Sequence, residues 1–443
     1  MKSVESNADD KNVIEMKSRR VCIIGGGASG LACARVLASD EYRYEPTIFE
    51  QNSFIGGQWN YDVEGTSSTS AVYKNLKTNL PCSVMQFSDF PFPNDPPESY
   101  VGLKEMRDYL LAYAEKHQLE KYLLLNTTVD SVDETFTVTY TVQIKSEKEL
   151  PTRLNQTLIE KNETYAIYSE PFDAICVANG HYSEVYIPSD IPGMGKQTFR
   201  IIHSRSYREP EAYRNQCVVV VGGSHSGIDI CGELAPVARQ VILSLKQENI
   251  AHFEGVLNLL RESGKQICTD YASTSFSLVS SIESIDHDTV YFQDRTSVKP
   301  DLIIFATGYE FHMPFLQGKL QVDMDRLRRD RYLYPLYKQL FHADFPDGRL
   351  AFLAIPYRIV PFPLAEVQSH LIARVLSGKI SLPTREKMLE EIDRSIIVHN
   401  RSYHYVNMIE YTKDLFELMN ENNADFTSKF VIDNERRIRK IEK

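Results

Sequence analysis

The chain has 443 residues, 42% hydrophobic and 25% charged, with a formal net charge of −11. That length allows more than one unit with its own buried core, and the acidic balance argues against nucleic acid or an anionic membrane surface as partner. Seven cysteines, an odd number with no C-x-x-C pair, read as reduced thiols rather than a disulfide framework or a zinc site, so no metal is expected.

Residues 1–19 form a polar tail without the apolar stretch of a signal peptide, and no apolar run approaches the ~18 residues of a membrane span. The expected location is the cytoplasm, with a secreted mature form lacking its leader left open. The first patterned stretch predicts a strand over 21–24. Gly25, Gly27 and Gly30 follow in G-x-G-x-x-G spacing, and Leu31, Ala34, Val36 and Leu37 continue with helical periodicity. In such a strand–turn–helix unit the first glycine permits the turn and the second lets backbone approach a pyrophosphate. The third packs helix on strand, and the helix start, Ala28 and Ser29, faces the phosphates. A second strand ends in Glu50, followed by Gln51, about 20 residues past the glycines, where a carboxylate meets ribose hydroxyls.

Gly56-Gly57-Gln58-Trp59 then sets a glycine pair before the only tryptophan. The tract 72–93, with Phe87, Phe90 and Phe92, suits a loop wall lining a cavity. An amphipathic helix is predicted over 102–119. Alternating strands follow over 122–168, including Val129, with a polar hairpin excursion over 146–162. A buried strand over 172–180 precedes a boundary near Pro192.

A β-branched run over 217–221 opens a second fingerprint, Gly222-Gly223-Ser224-His225-Ser226-Gly227, in which Ser224 stands at the middle glycine position and Asp229 lies on the helix that follows. The next strand ends in Lys246. A carboxylate repels a 2′-phosphate whereas a cation pairs with it, so the first site suits FAD or NAD and the second NADPH, less firmly than an Arg fork would. A strand over 301–305 runs into Ala306-Thr307-Gly308, where the chain re-enters the first unit. A strand over 349–355, a helix over 362–376 and a charged helical tail from Pro383 complete the pattern.

The combination resembles the flavin-containing monooxygenases across residues 20–390, and looks more like the soluble insect and fungal members, the insect ones including alkaloid N-oxygenases, than like the vertebrate ones. It is carried by GGGASG with Glu50, G-G-x-W at Gly56 to Trp59, T-N-x-P at Thr78 to Pro81 with FPFP beyond it, H-S-x-x-Y at His203 to Tyr207, GGSHSG, and FATGY at Phe305 to Tyr309. Three features depart from the family: QTFRII before His203 displaces its F-x-G, Lys246 replaces its usual Arg, and the vertebrate C-terminal apolar anchor is absent.

The resemblance implies an α/β fold of two Rossmann-like, doubly wound dinucleotide-binding domains. The FAD domain would span 20–192 and 325–443, with an NADPH domain, 193–324, inserted. It also implies that NADPH reduces FAD and that O₂ then forms a flavin C4a-hydroperoxide, which oxygenates the amine, alkaloid or sulfide heteroatom of a small molecule. Asn79 is implied as the catalytic residue, its amide contacting the flavin peroxide and the nicotinamide, with Thr78 assisting. Gly25, Gly27, Ala28, Ser29, Gly30, Glu50, Gln51, Gly57, Gln58, Trp59, Val129, Thr307 and Gly308 are implied around FAD, and Ser224, Ser226, Gly227, Asp229 and Lys246 around NADPH. His203 is assigned a structural role between the domains. The absence of a redox cysteine pair argues against a flavin disulfide reductase. An NADPH oxidase releasing H₂O₂, a Baeyer–Villiger or N-hydroxylating enzyme, and a homodimer all stay open.

Overall fold

The computed structural model describes residues 19–61, 70–93, 99–144, 156–250, 275–323, 326–327, 331–399 and 403–419. Val21, Cys22 and Ile23 are wholly buried, as a strand covered on both faces requires. Arg20–Ile24 pairs in parallel with Glu45–Phe49 on one side and with Ala174–Val177, the central strand of a seven-stranded sheet, on the other. Leu123–Leu124 closes one edge. Leu350–Phe352 continues the other in parallel, and Phe341–His342 and Leu336–Tyr337 follow it antiparallel. Helix Ala28–Leu37 lies against helix Pro361–Leu376 over one face, where Leu31 and Val36 share a core with Leu364, Leu371 and Ile372. Over the other face sits an antiparallel four-stranded sheet, Thr127–Val132, Thr137–Gln143, Tyr165–Pro171 and Thr157–Lys161. The Phe49 ring reaches Tyr140 of that sheet at 4.8 Å.

The second sheet is wholly parallel: Arg200–His203, Leu302–Phe305, Cys217–Val221, Gln240–Ser244 and Ser275–Val279. Helix His225–Leu234 packs on it through Ile230 and Leu234, and Val290 and Phe292 of a small antiparallel sheet cover Val219 and Ile303. The strands of the first sheet all lie before Ala178 or after Pro335, and those of the second lie between them in sequence. Glu184–Val185 pairs with Tyr309–Glu310 where the chain passes between the two units.

Two expectations need correction. The strand read over 172–180 is only Ala174–Val177, because the residues after it turn away to form a wall of the cavity described below. The tract 72–93 does line that cavity, through Val72, Leu76, Asn79, Leu80 and Met85, but its aromatics Phe87, Phe90 and Phe92 do not. Phe87 is fully buried, stacked on Tyr113 at 4.1 Å and Phe362 at 5.1 Å, and Phe92 stacks on Tyr109 at 3.9 Å, so aromatic surface is spent on the core. The polar excursion lies in part outside the described residues, as do Cys268 and 420–443. The six described cysteines are buried and unbridged. Among the described residues no helix is long and apolar enough to cross a membrane, and no His, Cys, Asp and Glu group could hold a metal ion.

Candidate active site

The two glycine turns are built alike. At Gly25, φ 114°, an added Cβ would lie 2.4 Å from the Ala178 carbonyl oxygen; at Gly222, φ 115°, it would lie 2.4 Å from that of Ala306. On the first turn of each helix, a Cβ on Gly30 would sit 2.0 Å from the Gly25 oxygen, and one on Gly227 1.9 Å from the Gly222 oxygen. Helix can therefore approach strand only without a side chain there. Gly30 and Gly227 are thus packing glycines, and neither reaches the cavity wall.

Both turns open on one cavity of 1330 Å³. Its volume exceeds the ~300–1,000 Å³ typical of a single small ligand. Gly25, Gly27, Ala28 and Ser29 wall one end; Gly223, Ser224 and His225 wall another. Glu50 and Gln51 line it from the end of Glu45–Phe49, and Val129 from Thr127–Val132. Gly57, Gln58 and Trp59 form a short 3₁₀ turn on the same wall, with the Cα of Gly27 only 3.2 Å from where a Gly57 Cβ would be. Glu50 is buried. Its Oε2 accepts the Gly26 N–H at 2.8 Å, and its Oε1 accepts from the backbone and side chain of Asn52 at 2.8 and 2.7 Å. Burial raises its pKa, and these donors oppose the rise. Backbone N–H groups at two helix starts, a buried carboxylate at the end of the neighbouring strand and bare glycine surfaces make this wall suited to dinucleotides.

The family model described as flavin-binding monooxygenase-like matches residues 18–253 and 268–433. The chain belongs to that family. Flavin-containing monooxygenase FMO GS-OX-like 9 of Arabidopsis thaliana is 34% identical over 401 residues, covering 85% of this chain and 80% of the relative. Among solved structures, the S-allyl-L-cysteine S-oxygenase from Allium sativum superposes with a TM-score of 0.72 and 31% identity, over 95% of this chain and 93% of that one. Tmm from Pelagibacter sp. strain HTCC7211, 23% identical over 90% of this chain and 86% of that one, shares the fold at a TM-score of 0.70. The protein is therefore a flavin monooxygenase of two Rossmann-type domains that uses FAD and NADPH to oxygenate small molecules.

Within this flavin monooxygenase Asn79 lies on the cavity wall, exposed, with no side-chain hydrogen bond among the described residues. Thr78 does not line the cavity. It is buried, exchanging hydrogen bonds with Val101 through its backbone N–H at 2.9 Å and its Oγ1 at 3.2 Å, and so pins the backbone that presents Asn79. Of the residues expected around NADPH, Ser224 lines the cavity, whereas Ser226, Asp229 and Lys246 do not. The Asp229 carboxylate instead accepts the Tyr73 hydroxyl at 2.9 Å, and Lys246 is exposed next to the lining residue Leu245. Thr307 donates to the Tyr186 carbonyl, and the Gly308 carbonyl accepts from His203 Nε2 at 2.9 Å. With Nδ1 of His203 accepting the Arg205 N–H at 3.1 Å, the ring is a neutral clamp, and burial pushes its pKa down to about 4 against the pull of the Gly308 carbonyl.

One aromatic wall of the cavity was not legible in the sequence. His181 and Tyr182 reach it from beyond Ala174–Val177, Tyr357 and Arg358 from beyond Leu350–Phe352, and Tyr405 from the C-terminal segment. Tyr357 and Tyr405 stack at 5.2 Å and are joined by an isolated parallel bridge outside the strands. The only hint of this wall was the His-Tyr pair following Asn179-Gly180; nothing local marks Tyr405.

Proposed function

We propose that this flavin monooxygenase oxygenates the sulfur of a small thioether, with tertiary amine nitrogen, alkaloids included, as the second soft nucleophile open to the same chemistry. The observation that carries this is the single cavity joining both glycine turns to Asn79 and to an aromatic wall. Sulfur comes first because the Allium sativum relative is an S-oxygenase. We assign residues 20–192 and 325–443 to FAD and 193–324 to NADPH. When bound, FAD reduced by NADPH supplies the activation of O₂. Glu50 accepts a ribose hydroxyl, and the N–H groups at Ala28 and His225 face phosphates. The Asn79 amide holds the polar edges of flavin and nicotinamide, and the tyrosines of the aromatic wall keep bulk water from the reacting centre. On this reading the enzyme works in the cytoplasm, and size-exclusion chromatography decides between monomer and homodimer.

The test is turnover with NADPH in air-equilibrated buffer, using thioethers, tertiary amines and ketones, with product followed by mass spectrometry and H₂O₂ assayed alongside. Sulfoxide formed in near-stoichiometric ratio to NADPH consumed is expected. NADPH consumed with H₂O₂ as the only product would make the protein an oxidase, and esters from the ketones would make it a Baeyer–Villiger enzyme.

A further inference from the structure

The two glycine turns match in backbone but differ in the side chain that opens the helix. At the first turn that residue is Ala28, and at the second it is His225. Both line the cavity, and each follows a residue of the same extended conformation, Gly27 or Ser224. His225 is exposed and makes no hydrogen bond or ion pair among the described residues. Its own N–H is one of the first-turn donors left over by the helix. The imidazole is joined to that N–H through Cα and Cβ alone, so an anion held by this helix start lies within reach of the ring.

The other two histidines of the cavity wall are placed differently. His181 is held neutral by burial, which pushes its pKa down to about 4. His312 lies beyond Tyr309–Glu310, and its carbonyl accepts the Asn179 amide of the first unit at 2.9 Å. Charged groups surround the second turn. On the His225 helix, Asp229 stands one turn on and accepts the Tyr73 hydroxyl, and Glu233 accepts the Tyr207 hydroxyl at 2.7 Å. From the neighbouring elements come Glu211, paired with Arg214 at 3.3 Å, the exposed Lys246 and Glu248 beyond Gln240–Ser244, and Arg205 after Arg200–His203. Of these only Arg205 lines the cavity.

We propose that His225 is a proton-coupled phosphate contact: its imidazolium pairs with the pyrophosphate of the nicotinamide dinucleotide, so that capture of the nucleotide takes up a proton and tightens as pH falls. The inference rests on the assignment of 193–324 to NADPH. An imidazole changes charge between about pH 5 and 8, and phosphate oxygens beside a ring favour its charged form. Below that range free and bound protein both carry the proton, and the full charge-assisted contact is present. Above it the ring offers at most a neutral N–H, and affinity falls. The first turn, with Ala28 in that place, has no such group.

The experiment is calorimetric titration of NADP⁺ into the oxidised, FAD-bound enzyme at about pH 6, 7 and 8.5, spanning the imidazole range. NAD⁺, which carries the pyrophosphate without the 2′-phosphate, is the second probe. Parent, His225→Gln and His225→Lys are compared, with bound flavin confirming the fold of each. Titration of the 2′-phosphate and of the surrounding side chains is common to all three and cancels. For both nucleotides His225→Gln should bind roughly tenfold more weakly than the parent at about pH 6, the scale of one charge-assisted contact. The gap should shrink to about twofold or less by about pH 8.5. His225→Lys, charged throughout, should keep tight binding at the higher pH. Near neutral pH the binding enthalpy of the parent should vary with the ionisation enthalpy of the buffer more than that of His225→Gln does. A ratio of parent to His225→Gln affinity that stays the same at every pH overturns the proposal, and so does a pH-dependent gap for NADP⁺ but not NAD⁺, which would put the ring on the 2′-phosphate. Either result leaves the NADPH assignment standing. A parent that binds neither nucleotide at any pH overturns that assignment, and the proposal with it.

Discussion

Ser224 and Gly27 hold the same backbone conformation at matching places, φ −87° and ψ 178° against φ −78° and ψ −176°, one residue ahead of their helices. Neither angle needs glycine, so the serine completes the second turn without strain and adds a hydroxyl to the cavity wall. The contrast is with Gly25, where φ 114° and the Ala178 carbonyl both exclude a side chain. Gly25→Ala is expected to cost more than about 2 kcal/mol in stability, and Ser224→Gly less than about 1 kcal/mol. Chemical denaturation of the two variants checks the ranking, and equal losses would show that the turns are not built alike.

Asn79→Ala separates positioning from cofactor binding. The side chain makes no structural hydrogen bond among the described residues, while Thr78 and Val101 hold its backbone. The variant should therefore fold, stay yellow and still consume NADPH. Product formed per NADPH should fall by ~10-fold or more as H₂O₂ rises, the order expected for losing one preorganised polar contact. Coupling equal to the parent's would remove Asn79 from the mechanism.

Asp229 makes a sharper case, because its sequence position and its geometry disagree. The fingerprint helix would put it beside NADPH, yet its carboxylate accepts from Tyr73, whose ring also packs on Tyr207 at 5.6 Å. Tyr73 comes from the tract before Asn79, so the bond ties that tract to the second unit. Asp229→Ala and Tyr73→Phe should each destabilise by about 1–2 kcal/mol, and the double variant by little more than either single one. An additive double variant, or a large rise in the KM for NADPH in Asp229→Ala alone, would return Asp229 to the nucleotide.

The parts of this protein legible in the sequence are those whose chemistry is local. A strand, a turn that tolerates only glycine at Gly25 and a helix from Ala28 follow one another in the chain, so their spacing carries the fold and the phosphate end of the cavity. Glu50 was readable for the same reason, as the residue that directly follows the neighbouring strand Glu45–Phe49. The aromatic wall was not, because Tyr182, Tyr357 and Tyr405 come from three stretches far apart in the chain that meet only once the first unit is folded, and an isolated tyrosine in a loop carries no period. Phe87 and Phe92 misled in the opposite direction: a run of aromatics among prolines looks the same whether it lines a cavity or fills the core beneath Pro361–Leu376. Lys246 fitted a motif by position; it stands exposed beside the lining residue Leu245 and does not itself line the cavity.

Buried histidines set the acid limit of stability. Burial pushes His181, His203 and His370 down to about 4, lowers His342, and pushes His404 to about 3 with His181 adding to the fall. Each stays neutral in the native state at pH values where an unfolded histidine, with a pKa near ~6.5, takes up a proton. Above that pH neither state binds the proton and the native advantage is complete. As pH falls from ~6.5 toward ~4 the unfolded state gains protons the native state refuses, so stability drops by up to ~1.4 kcal/mol per pH unit per histidine. Glu50 and Glu366, raised by burial, act in the opposite sense and soften the slope. The melting temperature should thus be level from pH 8 to 7 and decline steeply to pH 5. His404→Gln should lower it at pH 8, because Leu333 N–H and Gln339 lose their partner, and should flatten the decline. A parent protein whose melting temperature holds level to pH 5 would show that these rings are not buried in neutral form.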